Sequence, residues 1–93
     1  MKIFSWNKDK NNLLRATRQI SFEDILFYME KGFLLDVQEH PNQEKYPNQK
    51  IFVVQVNNYA YLVPFVENEH EIFLKTIIPS RKATKKYLGD QHD

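Results

Sequence analysis

Residues 50–88 read KIFVVQV-NN-YAYLVPFV-ENEH-EIFLKTII-PS-RKATKKYL, and the fold turns on this stretch. Three apolar runs, each of strand length and rich in Val, Ile, Phe and Tyr, alternate with two tight polar breaks. The first break is Asn57-Asn58. Asn tolerates left-handed backbone better than other non-glycine residues, so the pair suits a two-residue hairpin turn. The second break is Glu67–His70, and a short basic segment after Ser80 reads as a helix. The stretch therefore predicts a three-stranded antiparallel meander that ends in a helix.

The faces follow from the loops. A turn at Asn57-Asn58 sets Val56 opposite Tyr59, Val54 opposite Tyr61 and Phe52 opposite Val63. A four-residue loop at Glu67–His70 sets Phe65 opposite Ile72 and Val63 opposite Leu74. One face then carries Phe52, Val54, Val56, Val63, Phe65, Leu74 and Ile78, with Tyr61 and Ile72, and calls for helices to cover it. The other carries Ile51, Val53, Leu62, Pro64, Phe73 and Ile77, interrupted by Gln55 and Lys75. That second face reads either as a surface for a partner or as a second small core. A loop one residue longer or shorter would turn Lys75 to the opposite side. Pro64 cannot donate a ladder hydrogen bond, which predicts a bulge in the middle run.

Ninety-three residues bound the chain to one domain with one modest core. No apolar run approaches the roughly 20 residues of a membrane span, and the opening MKIFSWNKDK lacks the apolar core of a secretory leader. There is no cysteine, so disulfides and thiolate metal sites are excluded, and a cytoplasmic location is expected. With a formal net charge of +1, attraction to nucleic acid must come from local clustering.

Upstream, Lys2–Trp6 alternates like a short strand, and Asn7 is placed to cap a helix over Lys8 to about Thr17. A second helix, Phe22 to Lys31, is better marked. Ser21 and Asp24 form a capping box, Ile20 and Ile25 a hydrophobic staple, and Phe22, Ile25, Leu26 and Met29 an apolar stripe. Gly32 is the natural residue just past its end. Phe33–Gln38 reads as a strand, and Glu39–Gln49 as a polar loop with two prolines. Gly89–Asp93 reads as a frayed tail. The expected fold class is α+β, an antiparallel sheet with helices packed on one face, in the order β-α-α-β-β-β-β-α.

The residues that carry chemistry are few. Arg81, Lys82, Lys85 and Lys86 cluster in the last helix, and the first two lie in its first turn, the unfavourable end for cations. Phosphate binding there would use both the side chains and the free backbone N–H groups; the alternative is a solvated basic face. His40 lies in the polar loop, His70 in a turn and His92 in the tail, and their spacing is not that of metal ligands. No metal and no cofactor is expected. Tyr46, Tyr59 and Tyr61 could stack on bases or simply pack.

Trp6, Lys10, Ser21-Phe22-Glu23 and the closing Ile77-Ile78-Pro79-Ser80-Arg81-Lys82-Ala83-Thr84 resemble the BrnT family of bacterial toxins. The spacing is ungapped at both ends of the chain. Arg18-Gln19 stands where that family has His-Gly, Asn7 where it has Asp, and Pro79-Ser80 where it has Ser-Ala. The resemblance implies a RelE-like, microbial-ribonuclease-like fold, metal-independent RNA cleavage, and neutralisation by a cognate antitoxin of the ribbon-helix-helix DNA-binding type. DNA would then be met only through the antitoxin, with no membrane partner, in a homodimer or a toxin–antitoxin heterotetramer.

Cleavage of RNA without metal needs a proton acceptor, charge stabilisation at the phosphoryl oxygens and a proton donor for the leaving oxygen. Within that expectation Arg81 and Lys82 stabilise phosphate, Lys75 serves as base or stabiliser, and His40 is the available acid. Arg18, Lys85 and Lys86 add phosphate contacts. Two other classes stay open: a catalytically inactive member acting as a regulatory partner, and a plain interaction module.

Overall fold

The computed structural model describes residues 2–89; the tail reading at 90–93, including His92, lies outside them. The chain runs β1 (Ile3–Trp6), α1 (Lys8–Arg18), α2 (Phe22–Glu30), β2 (Leu34–Glu39), β3 (Lys50–Val56), β4 (Tyr59–Glu67), β5 (Glu71–Leu74), β6 (Ile78–Pro79) and α3 (Arg81–Leu88). The α+β class holds, and the order gains one two-residue strand, β6.

Local chemistry sets most boundaries. Asn7 caps α1 by accepting from the Lys10 amide. Ser21 and Asp24 complete the capping box of α2 in both directions. Gly32, at φ 95°, takes the left-handed backbone just past that helix. Asn57 and Asn58 both have positive φ, at 52° and 67°, as a right-twisted two-residue hairpin requires. The β3–β4 register is the expected one, with Val56 opposite Tyr59 and Phe52 opposite Val63.

The sheet departs from expectation in four ways. First, it is mixed and not antiparallel: the strand order is β1-β5-β4-β3-β2, and β1 runs parallel to β5. The two strands are far apart in sequence, so no tight turn forces them antiparallel. Second, Phe65 lies opposite Leu74 and Glu67 opposite Ile72, a two-residue shift from the expected pairing. The Asn68 side chain accepts from the amides of both His70 and Glu71, which tightens the turn. A shift of two keeps every side chain on its expected face.

Third, β4 has no bulge at Pro64, which pairs regularly with Ile51. Its carbonyl accepts from the Lys75 amide, so its missing N–H points to the gap where the chain leaves β5 before β6 begins. The irregularity lies instead in β2, between Leu34 and Asp36. Fourth, the third apolar run breaks after Leu74. Ile77 therefore turns into the first core and is fully buried, while Ile78 is exposed, the reverse of the expected assignment.

Helices cover both faces, not one. The larger core packs Leu14 of α1 and Phe22 and Ile25 of α2 onto Phe52, Val54, Val63 and Phe65 of the sheet. On the other face Val53 and Ala60 pack against Ala83 of α3, flanked by Leu35, Leu62 and Tyr87. An apolar second face needs cover, and the small Ala83 lets α3 approach. Of the two readings of this face, a second small core is present: α3 shields Val53 and Leu62, while Ile77 lies on the opposite side.

Asn11 was not singled out by sequence, because a polar residue within a polar helix gives no signal. It is buried, accepts from the Phe22 amide at 2.8 Å and donates to Glu23 at 2.8 Å, fastening α1 to the start of α2. Asn11→Ala leaves that buried amide without an acceptor and is expected to destabilise the domain by about 1–3 kcal/mol. Urea unfolding of the variant measures the loss; an unchanged midpoint would remove Asn11 from the account.

Candidate functional site

The α3 helix is fixed to β4 by its own beginning. The Ser80 amide donates to the Ala60 carbonyl at 3.0 Å, and the Ala60 amide donates to Thr84 Oγ1 at 2.9 Å. Ser80 Oγ accepts from the Ala83 amide and caps the helix, as its sequence position predicts. These bonds bury Ala83, Thr84 and Leu88 and leave Arg81, Lys82, Lys85 and Lys86 exposed. Arg81, Lys82 and Lys85 have no carboxylate partner among the described residues. Three cations with no partner among the described residues, on an eight-residue helix, make a local positive field that the net charge of the chain conceals.

Beneath α3 lies a cleft of about 320 Å³. Its floor is Ile51, Val53 and Leu62, with Ala83 above, and its rim carries Lys82, Lys86, Gln38 and Tyr87. A polar chain lies along one wall. Gln38 Nε2 donates to the Tyr87 hydroxyl at 2.6 Å and to Asp36 at 3.3 Å, and the Tyr87 hydroxyl donates to Asp36. The β2 irregularity makes this possible, because Leu35 and Asp36 both serve the α3 side of the sheet. Lys86 Nζ sits 5.1 Å from the centre of the Tyr87 ring.

The hydrogen bond from Tyr87 holds the Asp36 carboxyl below its ordinary value of 3.8, helped by Gln38, by the Val37 amide and by the nearby Lys86 charge. A depressed folded-state value means that the contribution to stability is complete above the ordinary value. It is lost as pH falls through the folded value. Tyr87→Phe removes the main cause, so its stability should fall less than that of the wild type between about pH 6 and about pH 2.5. Glu23 and Glu67, also shifted down, are common to both proteins and cancel in the comparison. Equal losses in urea titrations at the two pH values would count against the account.

The expected site residues divide. Lys82 and Lys86 meet at the cleft. Lys75 follows Leu74 in β5, and its amide bonds to the Pro64 carbonyl. That places it on the α3 side of the sheet, in the row Gln38, Ile51, Pro64 across β2, β3 and β4. It stands roughly 10 Å from Ile51, two strand spacings away. Arg81 and Lys85 lie on the same helix but outside the cleft lining.

His40 is less well placed. Its Nδ1 accepts from the Asn42 amide at 3.0 Å and its ring lies 4.4 Å from that of Tyr46, although the next residue, Pro41, lines the cleft. Arg18 is not part of the constellation. Its guanidinium donates to the Ile77 carbonyl, and it borders a separate polar hollow with Tyr28, Asn57 and Tyr61 on the opposite face. Sequence reasoning missed Gln38, Asp36 and Tyr87, which come together only across 51 residues of chain. Among the described residues no group of three or more His, Asp or Glu converges as metal ligands, and no helix is long and apolar enough to cross a membrane. No family model, curated protein or solved structure matches this chain.

Proposed function

We propose that this chain is an RNA-binding toxin of the ribonuclease type, acting without metal and neutralised by a small DNA-binding antitoxin. The observation that supports the reading best is the cationic helix α3 set over a cleft that Lys82 and Lys86 share, with Lys75 on the same side of the sheet. The spacing of Trp6, Lys10, Ser21-Phe22-Glu23 and Ile77–Thr84, which resembles the BrnT family, supports it independently.

In the reaction the ribose 2′-oxygen attacks the neighbouring phosphorus and its proton passes to an acceptor. The bond from phosphorus to the 5′-oxygen breaks, and that oxygen takes a proton, leaving a 2′,3′-cyclic phosphate and a 5′-hydroxyl. Lys82, Lys86 and Arg81 offset the charge that grows on the phosphoryl oxygens. Lys75 and His40 are the groups available for the proton transfers.

A second reading, an inactive member that binds RNA or antitoxin without cleaving, is favoured by one observation. His40 accepts from the Asn42 amide and lies beside the Tyr46 ring, and it is not among the residues that line the cleft. Purified protein incubated with RNA in chelator, with and without ribosomes, separates the two. Cleavage products ending in cyclic phosphate, together with growth arrest on expression, are expected. Intact RNA in both conditions would leave the second reading standing.

A further inference from the structure

We infer that the cleft under α3 is a base pocket: it takes one nucleobase that carries an exocyclic amino group, with the attached phosphate on Lys82 and Lys86. The inference rests on the proposed RNA reading for its biological substrate, but the pocket chemistry stands on its own geometry.

Three features point to this ligand. The volume, about 320 Å³, sits at the lower end of the roughly 300–1,000 Å³ range of small-molecule sites, which suits one aromatic ring system better than an extended ligand. The floor is apolar: Val53 is fully buried and Ile51 nearly so, and the half-buried Leu62 is the side chain that a ring face meets without polar loss. The two lysines stand at the rim, where an anion attached to the ring would emerge while staying in water.

The amino preference comes from Gln38. Asp36, ionised, is acceptor-only, so the Tyr87 hydroxyl proton is committed to it. The hydroxyl oxygen is then an acceptor for Gln38 Nε2–H, and the second Nε2 proton goes to Asp36. Both donors of the Gln38 amide are thereby used. What Gln38 can offer a ligand is its Oε1, an acceptor. An acceptor takes the exocyclic –NH₂ of adenine, cytosine or guanine; uracil can meet it only through N3–H, which lies between two carbonyls and brings an acceptor to either side of Oε1.

The test is amide-resolved NMR titration of the full chain with AMP, CMP, UMP and inorganic phosphate. AMP and CMP are expected to shift Val53, Leu62 and Ala83 and to bind roughly tenfold more tightly than UMP, the factor of about one hydrogen bond. Inorganic phosphate should shift only Lys82, Lys86 and their neighbours. Gln38→Leu should remove the preference among bases while AMP still shifts Leu62. Leu62→Trp should exclude the base altogether, and its amide spectrum shows whether the fold is kept; Gln38→Leu carries the test if it is not. Equal binding of phosphate and AMP, or an AMP preference that survives Gln38→Leu, overturns the pocket. Growth arrest and RNA cleavage are read separately. Base-selective binding without cleavage supports the pocket and counts against the ribonuclease, whereas cleavage with no base selectivity in the titration does the reverse.

Discussion

Phe22→Ala is expected to cost about 3–5 kcal/mol, the usual price of deleting a buried aromatic ring. Phe22 is fully buried at the first position of α2, and its ring stacks on Trp6 of β1 with centroids 5.6 Å apart. It ties the first strand, the helix pair and the sheet at one point. Nothing nearby can collapse into the space cheaply, because Ile25, Val54 and Val63 are themselves fully enclosed in strand and helix positions. A domain of this size holds only about 5–15 kcal/mol in total, so the loss takes a large share. At about 4–8 °C per kcal/mol the melting temperature should fall by at least about 12 °C. Phe27→Ala, on the same helix but 54% exposed, should shift stability by no more than about 0.5 kcal/mol. Calorimetry of the two variants side by side checks the contrast, and similar values for both would refute the assignment of the core.

That contrast shows what a sequence can carry. The positions of Phe22 and Ile25 follow from helical spacing, the Ser21–Asp24 box and the Asn57-Asn58 turn, all of them rules that act within a few residues. The same rules place α3 after Ser80. They do not say where α3 docks, because that depends on which sheet face is left bare once α1 and α2 are seated. Nor do they reveal β1 beside β5, since a four-residue strand pairing with a distant one has no local signature. The inversion of Ile77 and Ile78 has a similar origin. A strand period carried on to Ile78 predicts the opposite faces, but β5 ends at Leu74 and the strand alternation is lost over 75–77.

The candidate site divides along the same line. Its cations are legible, because Arg81, Lys82, Lys85 and Lys86 crowd one short helix and the first two lie at the end its dipole disfavours. Its polar wall is not, because Asp36, Gln38 and Tyr87 are each unremarkable alone. They acquire meaning only when the β2 irregularity turns Asp36 toward α3. Arg18, a basic residue near the family-like motif, lies apart from this cleft: its guanidinium donates to the Ile77 carbonyl and borders a hollow on the other face.

Replacing Lys82 and Lys86 together with Ala should separate the cleft from charge in general. Each exposed cation that meets a single-strand phosphate releases about 0.7 counterion, so the pair should make the salt dependence of RNA binding shallower by about 1.4. Taken from a 1 M reference to about 0.05 M salt, that corresponds to a loss of roughly seventy-fold in affinity. Stability should hardly change, since both side chains are exposed and the buried side of α3 rests on Ala83, Thr84 and Leu88. Arg81→Ala with Lys85→Ala removes the same charge from the same helix but leaves the cleft rim intact. If the cleft guides the strand, this second pair weakens binding less. Fluorescence anisotropy with a short single-stranded RNA at three salt concentrations gives both slopes. Identical slopes and identical losses for the two pairs would mean that RNA meets a diffuse positive field, and that the space under α3 is packing geometry and not a site.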